Sequence, residues 1–203
     1  MQHHGTTAVR VVDGTFPYPE HATASAGRAP WEAADRWPCA WIAPLQHVSP
    51  PAVVGYRRRF AVEWPATVRV HVSADERYEL FLDGVRVGRG PERGDRVHWA
   101  FETYDLLLAA GEHVLAASVV SAGKLAPWAQ MSVYHGLIVA AEGDAWIQRI
   151  GTGVAAWEAK PLQGYTLTDP GAQLGMGVGS GPCYELDAAR HPWGWEAGAE
   201  DDG

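Results

Sequence analysis

At 203 residues the chain is long enough for one large β-sandwich with tails, a size at which a globular domain buries roughly 70% of its unfolded surface. A formal net charge of -8 and a pI near 5.5 argue against a nucleic-acid binder, which would normally show a basic face. No apolar run approaches the roughly 18 residues of a membrane helix, and two cysteines, Cys39 and Cys183, are too few for a disulfide framework or a Cys/His zinc pattern.

Residues 1 to 30 are rich in Ala, Gly, Pro, Thr and His without sustained periodicity, which predicts a mostly irregular arm with room to cross a sheet edge. This stretch lacks the apolar segment of a signal peptide, so the sequence reads as unexported and cytoplasmic. From Trp37 the pattern firms. In VVGYRRRFAVEW, Tyr56, Arg58, Phe60 and Val62 share one parity, so Arg57-Arg58-Arg59 reads as part of a strand rather than as a phosphate patch. TVRVHVSA places Val68, Val70 and Val72 on one face.

The stretch SADERYELFLDGVRVGRGP, Ser73 to Pro91, specifies a hairpin. Tyr78, Leu80 and Leu82 alternate with Glu79 and Phe81, and Asp83-Gly84 suits a type I′ turn, whose two central residues take positive φ. That turn sets Leu82 opposite Val85 and Leu80 opposite Val87, which gathers the apolar residues on one face. Downstream, Tyr104 to Ala110 reads as one helical turn ending at Gly111, with Asp105 as its cap, and EHVLAASVV alternates Leu115, Ala117 and Val119. SVYHGLIVAA and AWIQRIG read as further β-like segments, before TGVAAWEAK leads into YTLTD. Strands at short spacing between Gly, Pro and Asp turns predict an all-β sandwich of jelly-roll type, here over residues 31 to 187. The remaining 188 to 203, polar and acidic, read as a linker leading to a domain absent from this chain.

Motifs that would carry chemistry fail on spacing. GMGVGSG, Gly175 to Gly181, has no Gly-x-Gly-x-x-Gly frame and is followed by Pro182, and Ser180 has Val178 where a nucleophile elbow needs glycine. The nine histidines contain no His-x-His or His-Glu-x-x-His, and His71, His98 and His113 are far apart, so no metal or cofactor is expected. Among the carboxylates, Asp75 and Asp83 belong to turns and Glu79 to the polar side of its strand, which leaves no catalytic pair. Aromatics remain. Large rings serve packing and also meet the C–H face of sugars: Trp99, Trp128, Tyr134 and His135, in connecting segments, are the candidates for sugar contact, while Trp41, Trp64, Trp146 and Trp157 read as packing residues.

Four pieces in order resemble the N-terminal β-sandwich region of bacterial alpha-L-rhamnosidases, glycoside hydrolase family 78. Trp41-Ile42 precedes an Arg-x-Phe strand, Arg58-Arg59-Phe60. Ser73 to Pro91 is similar to the family's Ser-Ala-Asp-x-x-Tyr-x-Leu-x-x-Asn-Gly-x-x-Val-Gly-x-Gly-Pro, with Asp83 in place of Asn. Tyr104-Asp105-Leu106 and Ala110-Gly111-Glu112-His113-Val114-Leu115 follow. Last comes Tyr184-Glu185-Leu186-Asp187-Ala188-Ala189-Arg190 with Gly194-Trp195-Glu196 and Glu200-Asp201-Asp202, like the string that leads into the next domain. The resemblance spans about residues 37 to 202. It implies a galactose-binding-like accessory sandwich, not catalytic by itself, whose partners are a helical (α/α) barrel outside this chain and a rhamnose-containing glycan. Gly194-Trp195-Glu196-Ala197 departs from the acidic Gly-Trp-x-Gly-Asp motif expected in that barrel. A second reading is a free-standing carbohydrate-binding module that uses exposed tryptophans.

Overall fold

β1 (Thr7–Val11) pairs through Thr7 and Ala8 with β10 (Glu158–Pro161) and through Val9 to Val11 with β2 (Ile42–Pro44), so two antiparallel sheets share one strand. The computed structural model describes residues 7–11, 37–94, 100–127, 130, 132–168 and 181–198. Beyond β1, the first sheet runs β10, β3 (Ala52–Val62), β8 (Gly111–Ser121), β5 (Arg77–Leu82) and β6 (Val85–Gly90). The second runs β2, β9 (Leu137–Ala141), β4 (Ala66–Ala74) and β7 (Glu102–Leu108). A separate two-stranded sheet, β11 (Tyr165–Thr168) with β12 (Cys183–Leu186), lies apart from these in the pairing order.

The core lies between the two large sheets, as an all-β sandwich requires. Val54, Tyr56, Phe60, Tyr78, Leu80, Leu115, Ala117 and Val119 come from the first sheet and meet Val68, Val70, Val72, Leu106, Leu108, Leu137 and Val139 from the second. The parity of β3, β4, β5 and β8 agrees with the sequence, because period-two apolar rows bury only when all of them face one way. Both outer faces carry further apolar clusters. Trp37, Trp41, Phe101 and Ile138 cover the second sheet, and Val53, Ala116, Leu162 and Trp195 cover the first.

Four sequence expectations change. Residues 102 to 108 are a strand, β7, paired with β4 from Ala66↔Leu108 to Val72↔Glu102; the run of leucines hides an alternation in which Leu106 and Leu108 are buried while Asp105 and Leu107 are exposed. Asp105 therefore caps no helix and instead accepts two bonds from Arg69, at 2.7 and 2.8 Å. AWIQRIG belongs to a helix, α1 (Asp144–Ile150), entered through Gly143 at φ 91° with Asp144 in its first turn and Arg149 in its last. Trp146 and Ile150 are four apart and share its packed side. In the hairpin, Asp83 (φ 52°) and Gly84 (φ 79°) form the turn and Leu82 faces Val85. A bulge then brings Leu80 opposite Gly88 rather than Val87, and Val85 is left exposed. At Gly88 a Cβ would collide with the Tyr104 ring, so the glycine is what lets that ring cross β6. Lastly, Trp64 is no packing residue: in the β3–β4 connection it is 77% exposed.

Candidate functional site

The outward positions of the first sheet build a large cleft. On β5, Arg77 and Glu79 point away from the core whenever Tyr78 and Leu80 point into it, and Arg89 sits opposite Glu79 on β6. Val53 of β3 with Ser118 and Val120 of β8 continue the floor. The small β11–β12 sheet forms a wall. Its register, Tyr165↔Leu186 and Leu167↔Tyr184, puts both tyrosines on one face, and Tyr165 and Leu167 pack on the apolar cluster over the first sheet. The resulting cleft has a volume of about 690 Å³ and is lined on its far side by Pro91, Glu92, Arg93 and Glu102.

Its electrostatics are mixed. Glu79 accepts a bond from Arg86 at 2.9 Å. Burial raises the phenol pKa of Tyr165, helped by nearby Glu79 and Glu196. Burial also raises that of Tyr184, against the pull of Arg77. Both rings thus stay protonated donors at neutral pH.

The wall is anchored from behind. Trp195 is 5% exposed, lies edge-on to Phe81 at 6.1 Å and occupies the space a side chain at Gly55 would need. Arg57 reaches the Trp195 carbonyl at 3.3 Å and Glu158 at 3.1 Å, and Arg59 reaches the Gly198 carbonyl at 2.9 Å. The arginine run is thus structural, and part of the stretch read as a linker is docked on the sandwich.

A smaller cleft of about 170 Å³ gathers two of the four sugar-contact candidates, Tyr134 and His135, with His47, Ser132 and Val133. Tyr134 is half-buried there. His135 is 8% exposed, stacks on Tyr56 at 5.9 Å and shares a 2.6 Å bond with Ser121. Burial lowers its pKa to about 4, so it is neutral at physiological pH. Trp99 and Trp128, and also His98, lie outside the described residues.

Two buried acids fix the segment that carries these candidates. Asp75 accepts from Ser132 Oγ (2.7 Å) and the Val133 amide (2.8 Å). Glu76, at φ 79°, accepts from the amides of Ala122 (2.7 Å) and Gly123 (3.3 Å). Adjacent carboxylates of one tight turn therefore hold both ends of the connection from β8 to β9. Burial pushes the Asp75 pKa up to about 7 and raises that of Glu76 as well.

Sequence reasoning missed the larger cleft. Its tyrosines and arginines come from segments some hundred positions apart, and the only local sign was that Arg77, Glu79 and Arg89 take outward parity on a well-specified hairpin. Among the described residues no group of three His, Cys, Asp or Glu is placed to hold a metal ion, and no helix is long and apolar enough to cross a membrane. Cys39 and Cys183 are both free thiols, and burial pushes the Cys39 pKa up to about 12.

Fold and site together define a β-sandwich domain with a polar, aromatic-walled cleft on the outer face of one sheet. No protein-family model matches the chain, and no curated protein does. Among solved structures it is similar to the GH78 family rhamnosidase of Bacillus sp. GL1, at 28% identity and a TM-score of 0.63 over 82% of this chain. The chain is thus similar to one GH78-like domain of that enzyme, and it spans 17% of that rhamnosidase's length.

Proposed function

We propose that this chain is a non-catalytic accessory sandwich of an alpha-L-rhamnosidase-type hydrolase, which packs on a catalytic (α/α) barrel and presents glycan to it. The extent of the match carries the reading: most of this chain corresponds to a small part of a rhamnosidase, 82% against 17%. The engagement of the four acids weighed in the sequence supports it. Asp75, Glu79, Asp83 and Asp105 are each bonded to a protein partner rather than paired across an open gap. In this reading residues 31 to 187 are the accessory domain and 188 to 203 lead to the next one, with Trp195 setting the angle of departure. Tyr134 and His135 of the smaller cleft are, in this reading, further candidates for sugar contact, as are Trp99 and Trp128.

Two measurements test it together. Incubation with an aryl alpha-L-rhamnoside is expected to give no turnover above buffer, and hydrolysis would end the non-catalytic assignment. Calorimetric titration with rhamnose-containing oligosaccharides is expected to give saturable heat, and a flat titration would end the glycan-presenting role.

A further inference from the structure

We infer that the 690 Å³ cleft between the β5–β6 hairpin and the β11–β12 sheet binds an acidic saccharide through its carboxylate. The inference rests on the glycan-contact reading above and names the class of sugar. Ten arginine side chains are described. Seven of them are bonded within the protein: Arg57 to Glu158, Arg69 to Asp105, Arg86 to Glu79, Arg190 to Gln163, and Arg58, Arg59 and Arg149 to backbone carbonyls. The other three, Arg77, Arg89 and Arg93, have no hydrogen bond or salt bridge among the described residues, and all three line this one cleft.

That placement is informative because acids outnumber bases in the chain by 8. Carboxylates abound, yet among the described residues none closes on these guanidiniums. Even Glu79, opposite Arg89 in the register, gives its carboxylate to Arg86. A guanidinium offers a planar fork of donors that matches a carboxylate in two parallel bonds. The rest of the lining fits a polyhydroxylated chain. Tyr165 and Tyr184 offer ring faces and phenol donors, and Glu92 and Glu102 offer acceptors for sugar hydroxyls. Those same glutamates repel densely charged ligands such as polyphosphates, whereas one carboxylate per sugar ring, spaced by neutral hydroxyls, meets alternating partners. The volume lies within the range of about 300–1,000 Å³ usual for small-ligand sites.

Tetragalacturonate and its fully methyl-esterified form share backbone and hydroxyls, differ only at the carboxyl groups, which are anionic in one and neutral methyl esters in the other, and make the decisive pair. Calorimetry on the full chain is expected to show binding of the acid and at least tenfold weaker binding of the ester. Arg93→Ala, Arg89→Ala and Tyr184→Ala, all at exposed positions, are each expected to weaken the acid's binding by roughly tenfold, the loss of about one charge-assisted bond, with unchanged melting. Equal affinity for acid and ester overturns the inference and leaves glycan contact standing, as does binding of rhamnose oligosaccharides with none of tetragalacturonate. Binding of pentaglutamate as tightly as the acid overturns it in favour of an acidic protein surface. Full affinity in all three variants also overturns it, by placing the acid elsewhere. Failure of every saccharide, rhamnose-containing ones included, removes the glycan-contact reading itself.

Discussion

Asp83 Oδ2 lies 2.7 Å from His113 Nδ1, while its Oδ1 accepts the Val114 amide at 2.7 Å, so the aspartate that makes the hairpin turn also ties that turn to the start of β8. The other ring nitrogen of His113 meets the Ala109 carbonyl at 2.9 Å. One side chain thus fixes both a local turn and a long-range register.

Replacing Asp83 separates those two roles. Asp83→Asn keeps a residue that tolerates positive φ and an oxygen for the Val114 amide, and is expected to cost under about 1 kcal/mol. Asp83→Ala loses both, and is expected to cost about 2 kcal/mol in urea unfolding. Equal cost for the two variants would show that the tie to β8 and the turn preference contribute nothing separable.

The pKa of His113 is raised, first by the Ala109 carbonyl and then by Asp83. A group that holds its proton more tightly when folded adds stability that is complete below its ordinary value of 6.5 and is lost as pH rises through the higher folded value. The difference in melting temperature between the protein and His113→Gln is therefore expected to shrink from pH 6 to pH 8. A difference that grows over that range would contradict the assignment.

Asp75 and His135 titrate in opposite senses. The Asp75 pKa, raised by burial from 3.8 to about 7, makes a contribution that is greatest in acid and is lost as pH rises through that window. The His135 pKa, lowered from 6.5 to about 4, makes one that is complete above 6.5 and is lost as pH falls toward 4. Asp75→Asn is thus expected to gain stability relative to the parent as pH climbs from 4 to 7. His135→Gln is expected to lose relative stability over the same climb. Urea midpoints at four pH values would read both, and parallel curves would refute the directions.

Trp195 anchors the wall of the large cleft. Trp195→Ala removes a nearly buried indole from over Gly55 and Phe81 and is expected to cost about 3–5 kcal/mol. Gly55→Ala, whose Cβ would stand 2.9 Å from Leu162 and 3.0 Å from the Trp195 ring, is expected to cost about 1–3 kcal/mol by overpacking. Trp64→Ser, at an exposed indole, is expected to stay within about 0.5 kcal/mol of the parent. Thermal unfolding of the three variants gives the ranking, and a Trp64 effect as large as that of Trp195 would contradict the packing described.

The sequence by itself determined the strands whose two faces differ. Val68, Val70 and Val72, or Leu115, Ala117 and Val119, alternate because one face is core and the other is not, and Asp83-Gly84 is legible because few residues accept its backbone angles. Tertiary structure decided the cases in which local pattern underdetermines the outcome. The leucines at 106 to 108 suit a helical turn or a strand, and pairing with β4 selects the strand. Trp146, Ile147 and Ile150 in a seven-residue segment suit either state, and packing on β3 and β9 selects the helix. The cleft was beyond reach for a further reason. Arg77, Arg89, Arg93, Tyr165 and Tyr184 each look like ordinary surface residues in sequence, and only the docking of β11–β12 on the first sheet, held by Trp195, brings them around one space.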